Sequence, residues 1–255
     1  MTAPGPCRPW TAALAAVVIG AAVALALRGV AMTAVPETSG EPADALIGPR
    51  VRWWYRGVIA PLEDALVAWR IHPDALTWAQ LAASILAGAA FWTGCIFLAG
   101  WLTILAGTLD ILDGGVARRG GIAGPRGALV DSLVDRWAEF ATFLGLGAYF
   151  RGSWVLLPIA VAAFGSQMVS YARARAEALG VEMRTGGAQR PERYVLLGFG
   201  AWISALVAHL ACGLGGQPTQ FVLELAVVAL AGLSLWTALD RSKRAVQALG
   251  GGGTA

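Results

Sequence analysis

The most visible order along the chain is an alternation of long apolar runs with short polar clusters. Apolar runs fall at about residues 10–27, 74–94, 96–117, 128–149, 153–171, 194–212 and 220–239. A helix needs roughly 20 such residues to cross a hydrocarbon core, so the six runs from residue 74 onward predict six transmembrane helices. The first run, TAALAAVVIGAAVALAL, follows the lone Arg8 and precedes small residues, and both a signal peptide and an anchor fit it. We read it as an uncleaved additional transmembrane helix.

Between that run and the first core span, the pattern changes. Residues 46–72 interleave Trp53, Trp54, Tyr55 and Trp69 with Arg50, Arg52, Arg56 and Arg70 among apolar positions. Such a segment suits the headgroup layer, with rings at the interface and arginines toward anionic lipid. A solvated, charge-bearing helix is the alternative. The expected organisation is therefore an N-terminal hydrophobic helix and linker (1–45), an interfacial juxtamembrane helix (46–72), a six-helix domain (73–245) and a disordered tail (246–255) that ends in GGGTA.

Composition agrees with this all-α polytopic class. Of the 255 residues, 57% are hydrophobic and 14% charged, and the mean hydropathy of +0.62 lies outside the range of ordinary soluble domains. Cys7, Cys95 and Cys212 have no metal-type spacing, so the sequence indicates neither a disulfide framework nor a cysteine metal site. They read as small apolar residues.

Charge sets the expected orientation. Of 19 Lys and Arg, all but Arg8, Arg28 and Arg151 fall in four clusters: 50–70, 118–136, 173–193 and 241–244. Six alternating crossings that begin inside at residue 74 bring all four clusters to one face, which the positive-inside rule makes cytoplasmic. The extra first helix then puts the N-terminus outside. The expected location is the cell membrane. The basic clusters carry no nucleic-acid-binding motif, so nucleic acid is not an expected partner.

Against this apolar background, DILDGGVARRGGIAGPRGALVDSLVD (110–135) places four aspartates next to one membrane face. At about 100° per residue, Asp110 and Asp113 lie about 60° apart on a helix, and Asp131 and Asp135 about 40° apart. The intervening glycines and proline turn the chain, so two antiparallel neighbours bring the four carboxylates together. Such a group stays ionised in a low-dielectric setting only beside positive charge. Oxygen ligands without His or Cys suit Mg²⁺, Mn²⁺ or Ca²⁺, and four carboxylates suit two ions in the arrangement used for phosphoryl transfer. Three other readings stay open at this point: a proton or ion path through the membrane, a structural ion pair between Asp113 and Arg118, and glycines that serve only close helix packing.

The spacing Asp110, Asp113-Gly114, Ala117-Arg118, Gly127, Asp131, Asp135 resembles the signature of the CDP-alcohol phosphatidyltransferases at every fixed position. The resemblance runs from about Val51 to Arg244 and implies a six-helix fold with a preceding interfacial helix, two Mg²⁺ ions per site (or Mn²⁺) and a homodimer. It implies that Asp110 and Asp131 bridge the ions, that Asp113 binds one and Asp135 the other, and that Asp135 is the general base. By the same likeness Gly114, Ala117, Arg118 and Gly127 contact CDP-diacylglycerol. So do His72, Pro73, Asp74, Ala75 and Thr77, which stand at the family's Pro-Asn-x-x-Thr element with Asp74 in place of Asn. Residues 166–193, SQMVSYARARAEALGVEMRTGGAQRPER, resemble the matching segment of inositol-lipid phosphate synthases. That likeness implies a pocket of Arg173, Arg193 and Arg241 for the phosphate of inositol 1-phosphate. Acceptors for phosphatidylglycerophosphate or phosphatidylserine synthesis are the enzymatic alternatives, and a cation or proton transporter is the non-enzymatic one.

Overall fold

The computed structural model describes residues 28–30, 48–181, 190–213 and 220–250. Among them all regular structure is helical. The helices are α1 (Pro49–Ala68), α2 (Pro73–Trp92), α3 (Ile96–Arg119), α4 (Pro125–Tyr149), α5 (Leu156–Ala178), α6 (Arg190–Gly213) and α7 (Phe221–Gly250). The first apolar run, at 10–27, and the last residues, 251–255, lie outside the described residues.

Proline marks three of the helix starts. Pro49, Pro73 and Pro125 occupy the first turn, where a missing N–H costs nothing. His72 adds a cap at α2, its Nδ1 accepting from the Asp74 amide at 3.2 Å. At the other end of the core, α7 corrects the expected tail: it runs to Gly250, past residue 246. Good helix formers at Ala245, Gln247, Ala248 and Leu249 and an i,i+4 pair between Asp240 and Arg244, 2.8 Å, account for the extension. A second correction concerns Cys212, which is disulfide-bonded rather than a free apolar residue.

The six helices α2 to α7 close into a ring. Contacts run from α2 to α3, α3 to α6, α6 to α7, α7 to α5, α5 to α4 and α4 back to α2. One half of the ring interior is apolar, packed by Phe91, Phe143, Leu146, Leu223 and Leu230. The other half is where the starts of α2, α4 and α6 meet the ends of α3, α5 and α7, and it holds the polar groups. Large apolar side chains such as Ile85, Leu144, Leu157 and Trp236 stay exposed on the outside, as expected of a ring surrounded by lipid.

By length and apolarity, α2, α3, α6 and α7 qualify as membrane spans. Helices α4 and α5 are as long, but Asp131, Asp135 and Glu139 in one, and Arg173, Arg175 and Glu177 in the other, dilute their apolar character. In α4 the polar positions turn inward: Asp135 and Glu139 are buried. The protein is a multi-pass membrane protein.

Helices α2 and α4 meet almost backbone to backbone. A Cβ built on Gly145 would fall 1.9 Å from the Gly88 carbonyl oxygen, and one on Gly88 would fall 2.4 Å from the Ala141 oxygen. This crossing aligns Gln80 of α2 with Asp135 of α4, so it bears on the site as well as on packing. Gly145→Ala should therefore lower the melting temperature in detergent, by about 1–3 kcal/mol of stability. Gly232→Ala, where nothing lies within 4 Å of the added carbon, should leave it unchanged or raise it. Equal melting of the two variants would contradict the close crossing.

Helix α1 packs against α3 outside the ring. Ile59 joins Leu76, Leu112 and Val116 in a small cluster, and Tyr55 Oη shares a hydrogen bond with Thr108 Oγ1 at 2.8 Å. Glu63 fits against Gly115, whose missing side chain leaves it room. Arg119 closes the contact through Glu63 at 2.6 Å and Asp64 at 2.5 Å, and Arg52 reaches Glu192 of α6 at 2.8 Å.

Candidate active site

The polar half of the ring is built from facing rows of side chains, each row set by helical spacing. On α4, Asp131, Asp135 and Glu139 recur at i, i+4 and i+8, one above the other. On α6, Arg190, Arg193 and Tyr194 share a face at i, i+3 and i+4. On α2, Thr77 and Gln80 do the same, and Asp110 and Asp113 come from the last turns of α3.

Three of the four aspartates converge. One carboxylate oxygen each from Asp110, Asp131 and Asp135 lies within 4.8 Å of the other two. Asp113 stands apart from this group: its Oδ2 accepts from Thr77 Oγ1 at 2.7 Å and its Oδ1 from the Gly114 amide at 2.6 Å. Asp135 is 1% exposed.

Two residues that sequence reasoning left without a role hold the group in place. Gln80, fully buried, donates from Nε2 to Asp135 Oδ1 at 2.8 Å, with Asp110 Oδ1 and Tyr194 Oη each 3.4 Å away. Arg190 Nη1 lies 3.2 Å from Asp110 Oδ1 and also contacts Asp135 Oδ2. A signal for Gln80 was available, because an amide inside an apolar span is expensive unless it has a task. Arg190 carried no such signal, being one arginine among several at a span end.

The donor set fits a hard divalent cation. All its ligand atoms are carboxylate oxygens, as Mg²⁺, Mn²⁺ and Ca²⁺ prefer. Asp131 Oδ1 is buried and has no hydrogen-bond partner, a costly condition that a cation removes. This group of aspartates can bind a metal.

The residues expected to meet the nucleotide surround the same end. Arg118 folds back over Gly114, its Nη1 only 3.0 Å from where a Cβ would stand. The Gly127 position faces open space. Thr77 is buried and bonded to Asp113, while Asp74 pairs with Arg126 at 3.0 Å. Arg126 thus takes up the charge that Asp74 has and asparagine would lack. Pro73 is buried, Ala117 is half-buried and Ala75 is exposed.

Of the three arginines expected around an acceptor phosphate, Arg241 of α7 reaches α5 one turn before Arg173, at the Val169 carbonyl, and Arg193 comes from the first turn of α6. The three differ in setting. Arg173 is exposed and pairs with Glu177 at 2.8 Å. Arg193 is buried against Glu139 at 2.5 Å. Arg241, also buried, donates to the Val169 carbonyl at 3.0 Å. Glu139 was not foreseen, since one more carboxylate in α4 gives no hint in sequence of which arginine it meets.

A ring of long apolar helices with an acidic metal-binding group and arginines at one end defines a membrane enzyme for phosphate esters. The chain belongs to the CDP-alcohol phosphatidyltransferase family, whose model matches residues 70–239. Among known proteins it is similar to the phosphatidylinositol phosphate synthase of Mycobacteroides abscessus, 36% identical over 186 residues, which cover 71% of this chain and 80% of that protein. It is 30% identical to the archaetidylinositol phosphate synthase of Methanothermobacter thermautotrophicus over 186 residues, 73% of this chain and 87% of that one. Among solved structures, the phosphatidylinositol phosphate synthase of Mycobacterium tuberculosis with CDP-DAG bound matches with a TM-score of 0.62 at 27% identity, covering 74% of this chain and 94% of that one. The same enzyme in complex with manganese and citrate matches with a TM-score of 0.63, covering 72% and 87%.

Proposed function

We propose that this protein transfers the phosphatidyl group of CDP-diacylglycerol to a hydroxyl of inositol 1-phosphate, releasing CMP and forming phosphatidylinositol phosphate. The observation that carries the acceptor is the placing of Arg173, Arg193 and Arg241 at the ring end that also holds the aspartates: Arg241 bonds to the Val169 carbonyl, one turn before Arg173, and Arg193 to Glu139, one turn after Asp135. Three guanidiniums suit a phosphorylated alcohol, whose phosphate offers oxygens for charge-assisted hydrogen bonds. The inositol-phosphate products named for the similar enzymes support the same choice.

Each residue then has a role that its surroundings support. Asp135 takes the proton from the acceptor hydroxyl, and its Oδ1 is oriented for that by Gln80. The acceptor oxygen bonds to the phosphorus that carries diacylglycerol as the bond from that phosphorus to CMP breaks. Arg118 contacts the diphosphate, Gly114 and Gly127 leave room for the nucleotide, and Ala117 and the segment His72, Pro73, Asp74, Ala75 and Thr77 border it. Asp110, Asp113, Asp131 and Asp135 would hold two Mg²⁺ ions, or Mn²⁺ in their place. Bound cations neutralise charge on the diphosphate and on the departing CMP.

In the same reading, residues 73–245 form the catalytic six-span domain, α1 lies in the headgroup layer, and the site faces the cytoplasm, where soluble acceptor and CMP exchange. The protein acts as a homodimer, as the family resemblance implies.

The test is to incubate purified protein with CDP-diacylglycerol, Mg²⁺ and, separately, inositol 1-phosphate, glycerol 3-phosphate or serine, measuring CMP and identifying the lipid. We expect phosphatidylinositol phosphate from the first acceptor. Product from glycerol 3-phosphate or serine alone would overturn the assignment, and cation flux into liposomes without CMP release would point to transport. Arg173→Ala should raise KM for inositol 1-phosphate by about tenfold, the worth of one charge-assisted hydrogen bond, while KM for CDP-diacylglycerol stays put. Equal change in both constants would remove Arg173 from the acceptor pocket.

A further inference from the structure

Arg190 sits among the aspartates of the site, yet the transfer reaction does not call for a cation at its position. It starts α6, where the positive end of the helix dipole disfavours a cation. Its attraction lies across the ring: Nη1 is 3.2 Å from Asp110 Oδ1 and in contact with Asp135 Oδ2. These two carboxylates come from different helices, and both belong to the group that can bind a metal. The side chain of Arg190 is 22% exposed, against 9% for Asp110 and 1% for Asp135. A guanidinium there supplies the positive charge that buried carboxylates need to stay ionised.

The manner of attachment matters. Both contacts are made by Nη1, and Nε is buried without a hydrogen-bond partner. The forked, two-nitrogen pairing that makes Arg–carboxylate bonds strong is therefore absent. Meanwhile α6 is held to its neighbours independently of Arg190, by Arg193 with Glu139 at 2.5 Å and Glu192 with Arg52 at 2.8 Å. The Arg190 contacts are therefore not the only ties between α6 and its neighbours.

We propose that Arg190 is a built-in counter-cation that exchanges with a divalent cation: it neutralises Asp110 and Asp135 when the metal is away and withdraws when the metal binds. One guanidinium nitrogen and a metal ion compete for the same oxygens, so the protein is kept folded when empty at the expense of metal affinity. The inference rests on the reading that these aspartates bind a divalent cation.

The experiment uses the full-length protein in detergent, stripped with EDTA and titrated with Mn²⁺, with free Mn²⁺ followed by electron paramagnetic resonance. Arg190→Gln, which cannot neutralise a carboxylate, should lower the Kd for Mn²⁺ by about tenfold, within the span usual for coupling between two ligands. The stripped Arg190→Gln protein should melt lower than stripped wild type, and Mn²⁺ should raise its melting temperature by more. Arg190→Lys, which keeps the charge on a different geometry, should fall between. Mn²⁺ affinity that is unchanged or weaker in Arg190→Gln overturns the exchange. Failure of wild type to bind Mn²⁺ at all overturns instead the metal reading beneath it. A variant that can be purified only with Mn²⁺ present supports the proposal; misfolding of both variants with Mn²⁺ present makes Arg190 purely structural and rejects it.

Discussion

Asp135→Asn should reduce CMP release by about 10³-fold or more, with CDP-diacylglycerol binding largely retained. A positioned general base is worth about 10²- to 10⁴-fold by itself. The substitution also takes a charged oxygen from the three-aspartate group, so the loss falls toward the upper part of that range. Size and hydrogen bonding are nearly preserved: the asparagine oxygen can still accept from Gln80, which reaches Asp135 Oδ1 at 2.8 Å. Arg118, Gly114 and the start of α2, where the nucleotide is expected, are untouched. The measurement is CMP release at saturating substrates together with titration of nucleotide binding. Wild-type turnover in this variant would reject Asp135 as the base, and loss of binding in step with turnover would make its role structural.

The largest effect on stability is expected at Glu139. Its carboxylate meets Arg193 at 2.5 Å with both side chains under 10% exposed. Glu139→Leu leaves a buried guanidinium without this partner, and breaking a buried pair from one side costs about 3–5 kcal/mol. The double variant Glu139→Leu with Arg193→Met removes both charges and should recover most of that loss, since apolar replacement of a whole buried pair is often neutral. Thermal melting in detergent separates the cases. A single variant as stable as wild type would show that the pair carries no stability, and a double variant no better than the single would place the cost in packing. Activity should fail in the double variant even where stability returns, because Arg193 also belongs to the proposed acceptor pocket.

These two residues show where sequence reasoning succeeds and where it stops. Asp135 was identifiable because four aspartates at helical spacing in an apolar chain are too costly to be incidental. Glu139 lies one turn further along the same face, yet a glutamate at that place reads equally well as a partner for any nearby arginine. Arg193 was expected to serve the acceptor from its motif, but nothing in sequence tied it to α4. Asp113 is a further case: its motif position marks it as a carboxylate of the site, but its bonds to Thr77 of α2 and to the Gly114 amide appear only in the folded chain.

By itself, the sequence determined the class of the protein: apolar runs of membrane length, positive charge gathered at one set of run ends, and an acidic motif with fixed spacing. These are local properties, set by the pitch of a helix, the thickness of a bilayer and the cost of a buried charge. The tertiary structure decided the closure of the ring in the order α2, α3, α6, α7, α5, α4. With it came the pairing of residues distant in the chain, such as Gln80 with Asp135 and Arg190 with Asp110, 55 and 80 positions apart. The physical reason is that a helix has several apolar faces that can pack. Which neighbour it takes depends on contacts as close as Gly88 on Gly145, and these exist only once the helices have met.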